Sequence, residues 1–368
     1  MKGTIKVCHV VNTVGPTSIP ADIAVALARR DNVESGVLAW FDADSFTGDE
    51  LVDVSCVNAD DGLFNTSAYR RARRVLREYD VVHSHHCHSG TYAKPIAKQQ
   101  GSALVSTEHN SHDGYTRKGR LSNGLLNPLA DRVTCVSGAV YDTFQSWEKA
   151  LLRDKQVEIV PNGVVLDRVT GAADIDWEPP INRDEDSILI CNSAMLTEQK
   201  AHETLIEAIH EVNRAIDSDV ELAITGKGER RAALEAHADR LGVSEQVNFL
   251  GLLERRRQVY KLMYDADVFA MPSRWEGFCV AVAEAMATGT PCVLSDIDVF
   301  QELYRGPARF HPVDDVGALA ERLERLVRDA DLRERLGEES RMLVEQEYDI
   351  ETTAEQYAAL FRDLSSSR

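Results

Sequence analysis

The 368-residue sequence has no Cys-x-x-Cys pair, no apolar run approaching the roughly 20 residues of a membrane span, and no excess of basic charge. Each absence excludes something. Seven cysteines, Cys8, Cys56, Cys87, Cys135, Cys191, Cys279 and Cys292, are widely spaced and mostly set inside apolar runs, so they read as reduced packing residues. No basic, apolar and small-residue leader precedes KVCHVVN, and with no membrane span the expectation is a soluble, cytoplasmic chain. Lysine is scarce: 60 Asp and Glu oppose 41 Lys and Arg, most of them Arg, for a formal charge of −19. Such a surface repels nucleic acid and has a halophile-like character, since a salt-rich cytoplasm would screen its self-repulsion.

What the sequence does have is an alternation of short β-rich runs and helix-length segments, the pattern of parallel sheets wound on both faces by helices. One set of runs includes IKVCHVV (5–11), DVVHSH (80–85), ALVSTEH (103–109) and VEIVP (157–161); a second includes SILICNS (187–193), VELAITG (220–226), ADVFAMP (266–272) and TPCVLSD (290–296). Between them lies an acidic, proline-containing stretch without periodicity, read as a linker at 172–186. The expected fold is α/β, with two tandem doubly wound, Rossmann-like domains facing a cleft. In such folds ligands sit at the carboxyl ends of strands. Those ends collect Asn12–Gly15, His83–His88, Glu108–Asn110, Ser193–Lys200, Gly226–Gly228 and Pro272–Phe278.

The most specific stretch is ADVFAMPSRWEGFCVAVAEAMATGTPCV (266–293), read as strand, polar turn, helix from about Phe278 to Ala287, and next strand. Glu276 precedes the helix and Glu284 follows eight residues later, on the same side. The amides of Phe278, Cys279 and Val280 can receive a phosphate, and carboxylates beside a phosphate suit sugar hydroxyls. The residue set fits a nucleotide sugar. In so acidic a chain the two glutamates can also be a helix cap and a solvated turn.

Flanked by PSRWEGF and EAMATGTP, the pair resembles the E-x7-E signature of retaining GT-B glycosyltransferases, glycosyltransferase family 4. VVHSH, STEHN, VPNGV, LTEQKAHETLIEAI, ITGKGERRAALEAHADRLGV, VNFLG and YDIETTAEQYAALF are similar to that family's successive blocks, in order. The resemblance implies an acceptor-binding domain at 1–171, a nucleotide-sugar-binding domain at 187–346 and a final helix at 347–368 crossing back onto the first. It implies that Glu284 holds the ribose hydroxyls, Glu276 orients the donor sugar, Lys200 contacts the diphosphate, and Gly226 and Gly228 turn near the base. His109 would stand at the donor–acceptor junction, with Gly15 approaching the phosphates and Arg274, Gly277, Phe278, Cys279 and Val280 completing the donor site. The implied reaction is hexosyl transfer with retention, by front-face attack and without a metal, from a UDP-, GDP- or other nucleotide sugar to a glycan or lipid-linked glycan. The acceptor surface would span 12–20, 85–92 and 109–125, with Asn110 and His85 as candidates and a peripheral contact with the cytoplasmic membrane face. Two departures stand out: Met195 occupies a position where the family has an arginine, leaving Arg274 or another base to substitute, and VNTVGPTSIP has only one glycine. A non-catalytic subunit and a GT-B sugar-nucleotide epimerase are the alternatives.

VVHSHHCHSG (81–90) carries four histidines and a cysteine within six residues. His83 and His85 should share a strand face, with His86 opposite. A metal set would need His109 and Cys87 as further ligands; buried structural histidines and sugar contacts are the other readings. Two Asp-x-Asp pairs, Asp265/Asp267 and Asp296/Asp298, are expected by chance in so acidic a chain.

Overall fold

The structure is a computed structural model that describes residues 4–15, 18–43, 50–59, 65–152, 157–181, 187–216 and 219–366. The chain divides into two compact units, Met1–Gly163 with Ile350–Arg368, and Val164–Asp349.

The first unit is built on β1 (Ile5–Thr13), β2 (Val33–Asp42), β3 (Asp53–Cys56), β4 (Val81–Ser84), β5 (Ala103–Glu108), β6 (Arg132–Cys135) and β7 (Val157–Ile159). They form a parallel sheet in the order β3-β2-β1-β4-β5-β6-β7. All residues of β4 and β5 are buried, as a sheet covered by helices on both faces requires. The order reverses between β1 and β4, so their carboxyl ends splay around a crevice. Helix Ile350–Ser366 packs against helix Ile19–Ala28 and β1, burying Tyr357 and Phe361. The returning chain passes so close that a Cβ at Gly163 would lie 2.4 Å from Ile350 Cα; only glycine fits there.

The second unit contains β8 (Ile188–Ser193), β9 (Val220–Thr225), β10 (Val247–Gly251), β11 (Val268–Met271), β12 (Cys292–Ser295) and β13 (Arg309–His311), in the order β10-β9-β8-β11-β12-β13. Here the reversal lies between β8 and β11. Ile190, Leu222, Ile224, Val268 and Val293 from the strands pack against Leu205, Ile209, Leu319 and Leu323 from the helices in one core cluster. Both units are therefore Rossmann-like parallel α/β sheets.

Several boundaries move. The division falls after Gly163 rather than at 171, because Val164 bridges Asp349, its amide donates to Tyr348 O at 2.7 Å, and helix Leu166–Thr170 packs on helices Arg256–Asp265 and Val280–Ala287. The expected linker at 172–186 belongs to the second unit as far as it is described; 182–186 lie outside the described residues. The final helix starts at Ile350, after a separate helix Ala330–Glu347. Among the described residues no helix is long and apolar enough to cross a membrane.

Candidate active site

In the second unit, the segments leaving the two switch-point strands are laced together. The Arg274 amide donates to Gln199 O at 2.8 Å, Gln199 Nε2 to Trp275 O at 2.7 Å, and Arg274 Nη1 to Glu198 O at 2.5 Å. This holds Lys200 against Glu276: Lys200 Nζ donates to Glu276 Oε1 and lies 3.9 Å from Cys279 Sγ. The pair is largely buried, with 15% of the lysine and 5% of the glutamate side chain exposed. Burial opposes the ammonium, but Cys279 and Glu276 outweigh it and raise the Lys200 pKa. Burial pushes the Cys279 thiol up to about 12, so at neutral pH Glu276 is the counter-charge that matters. Ala201 (φ 47°) and Cys279 (φ 61°) are both left-handed non-glycine residues, and each N-caps the next helix, His202–Ala215 or Val280–Ala287. The helix expected from Phe278 therefore begins at Val280, since a residue at φ 61° cannot continue a right-handed helix. Phe278 is buried and its carbonyl accepts from Tyr304 OH at 2.8 Å.

Glu284 lies inside helix Val280–Ala287, buried, with both oxygens engaged. Oε1 accepts from Tyr260 OH at 2.9 Å and Oε2 from Arg256 Nη2. Burial opposes the Arg256 charge, and Glu284 more than restores it. Arg274, the expected substitute for the missing arginine, is held by Asp314 through Nε at 3.0 Å and by Glu198 O, while Met195 is exposed. The basic side chain that the carboxylates do gather, besides Lys200, is Arg256. Gly226 (φ 144°) and Gly228 have a packing role: a Cβ would come 1.8 Å from Ala194 O and 2.3 Å from Leu196 O, because the loops after β8 and β9 stack main chain on main chain.

In the first unit the histidines converge under the β1/β4 reversal. His9 Nδ1 is 2.9 Å from His85 Nε2, and His85 Nδ1 is 3.0 Å from His109 Nε2. His83 Nε2 is 2.6 Å from Thr107 Oγ1, which is 3.1 Å from Tyr357 OH. His83 and His85 share a face, their ring centroids 3.9 Å apart. Burial keeps all of them neutral, lowering His9 and His109 to about 3 and His83 and His85 well below the ordinary value. His86 turns away: its Nδ1 accepts from the Asn12 amide at 3.0 Å, and burial lowers it to about 4.

The expectation of His85 as an acceptor contact is corrected, because the ring is 2% exposed and both nitrogens are used by neighbouring histidines. Half-buried His109 and exposed Asn110 lie nearer the surface, and Gly15 is half-buried with its carbonyl accepting from the Ser18 amide at 3.2 Å. The metal set considered from sequence is corrected too. Cys87 Sγ donates to Gly119 O at 3.3 Å, and it is His9, His83 and His85 whose ligand atoms lie within 4.8 Å of one another. Sequence reading missed His9, Arg256 and Tyr260. Glu108, at the end of β5, accepts from Asn123 at 2.9 Å, Asn127 at 2.8 Å and Tyr115 OH at 2.9 Å, with His112 Nε2 at 3.3 Å. Burial would raise it, but His112 and buried Lys94 hold it ionised with a pKa of about 2. Hollows lined by Ile5, Arg29, Arg30 and Arg362 lie at the opposite, amino-terminal edge of this sheet.

Two Rossmann-like units, with a buried lysine–carboxylate pair at the reversal of the second sheet, have the layout of a GT-B glycosyltransferase. The chain matches the families described as Glycosyl transferases group 1, over residues 174–342, and Glycosyltransferase Family 4, over residues 20–168. It is 30% identical over 279 residues to the phosphatidyl-myo-inositol mannosyltransferase of Mycobacterium leprae, covering 74% of this chain and 71% of that one. It is 26% identical to the putative glycosyltransferase EpsD of Bacillus subtilis, covering 75% of each. Among solved structures, Anabaena HepE in complex with UDP and glucose aligns with a TM-score of 0.80 at 18% identity, covering 98% of this chain and 100% of HepE. Sucrose-phosphate synthase from Thermosynechococcus elongatus aligns with a TM-score of 0.81 at 18% identity, over 99% and 100%. The chain belongs to the group 1, family 4 glycosyltransferases, and it is a glycosyltransferase.

Proposed function

We propose that this enzyme moves a sugar from a nucleotide diphosphate sugar to a hydroxyl of a glycan or lipid-linked acceptor, with retention and without a metal ion. The observation that carries the reading is the Lys200–Glu276 pair beside Cys279, the residue that caps helix Val280–Ala287, with Glu284 buried within that helix. Lys200 and the first amides of that helix stabilise the departing diphosphate, whose negative charge grows as the glycosidic bond breaks. Glu276, held by Lys200, accepts hydroxyls of the donor sugar. Glu284 takes the ribose hydroxyls on the lone pairs that Arg256 and Tyr260 leave unused, since a carboxylate offers about four acceptor positions.

Retention by front-face attack is favoured over double displacement by the state of Glu108. A double displacement needs a carboxylate nucleophile beside the anomeric carbon, and Glu108, the carboxylate at the end of β5, is buried and saturated by four side-chain partners. The leaving diphosphate then receives the acceptor's proton. Metal independence is supported by the surroundings of Asp267, which accepts from the Leu189 amide at 3.0 Å and pairs with Arg333 at 3.4 Å, leaving no Asp-x-Asp clamp with Asp265. A lipid-linked acceptor at the membrane face is supported by helix Arg117–Leu126, which exposes Leu121 and Leu125 one turn apart together with Arg117 and Lys118. The mannosyltransferase relative is named for a phosphatidyl-inositol acceptor.

The test is a thermal-shift screen of nucleotide sugars followed by product analysis with and without a lipid-linked acceptor. The expected outcome is a raised midpoint with one donor, a product with the donor's anomeric configuration, and turnover that survives EDTA. Inverted product, or activity lost on chelation and restored by manganese, would overturn the corresponding part.

A further inference from the structure

We propose that His9, His85 and His109 form a one-way chain of neutral imidazoles that fixes His109 as the tautomer with its proton on Nδ1. His9 and His85 are then positioning residues for that ring.

Two links in series, His9 Nδ1 to His85 Nε2 at 2.9 Å and His85 Nδ1 to His109 Nε2 at 3.0 Å, join the three rings. Burial keeps each ring neutral. A neutral imidazole has one donor and one acceptor nitrogen, so both links must run in the same sense. The ends of the chain select that sense. At the inner end, His9 Nε2 is buried without a hydrogen-bond partner. Running inward would strand a proton there, as an orphaned buried donor; running outward leaves only a lone pair, the lesser defect. At the outer end, the Asn162 side chain interacts with His109, and its Oδ1 is buried without a partner. An Nδ1–H on His109 is the donor that such an oxygen lacks. Both ends therefore give His9 Nδ1–H donating to His85 Nε2, and His85 Nδ1–H donating to His109 Nε2.

The consequence for transfer rests on the reading of His109 as a residue at the reacting sugars. With Nε2 occupied by His85 and the Nδ1 proton turned to Asn162 Oδ1, His109 meets the reacting sugars as a neutral ring with both nitrogens engaged. It has no lone pair with which to take the acceptor's proton, so that proton is left to the diphosphate. A cation among His9, His83 and His85 is the competing arrangement, because it would need a nitrogen of His85, and the chain uses both.

The experiment is long-range ¹H–¹⁵N correlation on the full chain labelled at histidine, at neutral pH and without substrate. His109 is expected to show a protonated Nδ1 and an unprotonated Nε2. In His9→Phe, which removes the first donor, the His109 signals should become a mixture of tautomers and kcat should fall several-fold with the donor KM unchanged. His9→Asn, whose amide keeps a donor near the Nδ1 position, should restore both. An Nε2–H tautomer in the unaltered protein overturns the proposal even if the variants fail to fold. So does a folded His9→Phe protein with an unchanged His109 tautomer, or a stoichiometric transition metal lost on that substitution. The tautomer is read without turnover, so an enzyme whose His109→Ala variant stays active would sink the junction role and leave the chain standing.

Discussion

Lys200 carries the sharpest consequence of any single residue. With Arg274 held by Asp314 and an exposed Met195 at the family's arginine position, the proposed donor site has one buried lysine for the diphosphate. Lys200→Ala should lower kcat/KM by about a hundredfold or more, comparable to losing one preorganised donor; near-normal turnover would mean the phosphate is held elsewhere. Met195→Arg should tighten the donor modestly, as a charge-assisted bond would, measured as Kd. Glu284→Gln turns an NH2 group toward either Arg256 or Tyr260, both donors. It should weaken donor binding by about 2–3 kcal/mol in calorimetry while the circular dichroism spectrum stays unchanged. At this scale the sequence showed which side chains stand at strand ends, the E-x7-E spacing pointed to Glu276 and Glu284, and the family resemblance pointed to Lys200. It did not show their partners. Arg256 and Tyr260 sit a turn apart on a helix of their own, 28 and 24 positions from Glu284, and His9 lies mid-strand, so no local spacing links them to the site.

Among elements, the strands leaving each sheet reversal were legible because their Val- and Ile-rich runs must be buried on both faces. What the runs did not specify is where irregular backbone begins. β13 is only Arg309–His311, too short and too polar to stand out, and the start of helix Val280–Ala287 is fixed by the left-handed Cys279, which nothing in GFCV announces. The loops after β8 and β9 make a testable element-scale claim. Since a Cβ at Gly226 would lie 1.8 Å from a backbone oxygen, Gly226→Ala must move one loop off the other. The expected cost is at least about 2–3 kcal/mol, as for overpacking of a core, read as a lowered Tm. An unchanged Tm would mean that the loops are not stacked as described.

For the whole molecule, the −19 charge sets a repulsive background, and the buried histidines set its acid limit. His9, His83, His85, His86 and His109 all have folded-state pKa values below the ordinary 6.5, so on acidification the unfolded chain takes up protons that the folded chain refuses. Their contribution is therefore fully present above about pH 6.5 and is lost as the pH falls below it, at about 1.4 kcal/mol per pH unit for each proton that the unfolded chain alone takes up. Glu108, depressed to about 2, adds to the loss only below its usual 4.5. Tm should fall steeply from pH 6.5 downward, and His9→Asn should flatten the slope; a Tm constant between pH 6.5 and 5 would contradict the burial of these rings. The two-unit division has a consequence in time as well. The first unit is closed by helix Ile350–Ser366, but its other elements end at Gly163. At synthesis rates of roughly 5–20 residues per second, a nascent chain waits about 10–40 s for that helix, while the entire second unit emerges. Through that interval the face of helix Ile19–Ala28 that the last helix covers is open, a ready target for a chaperone on the ribosome.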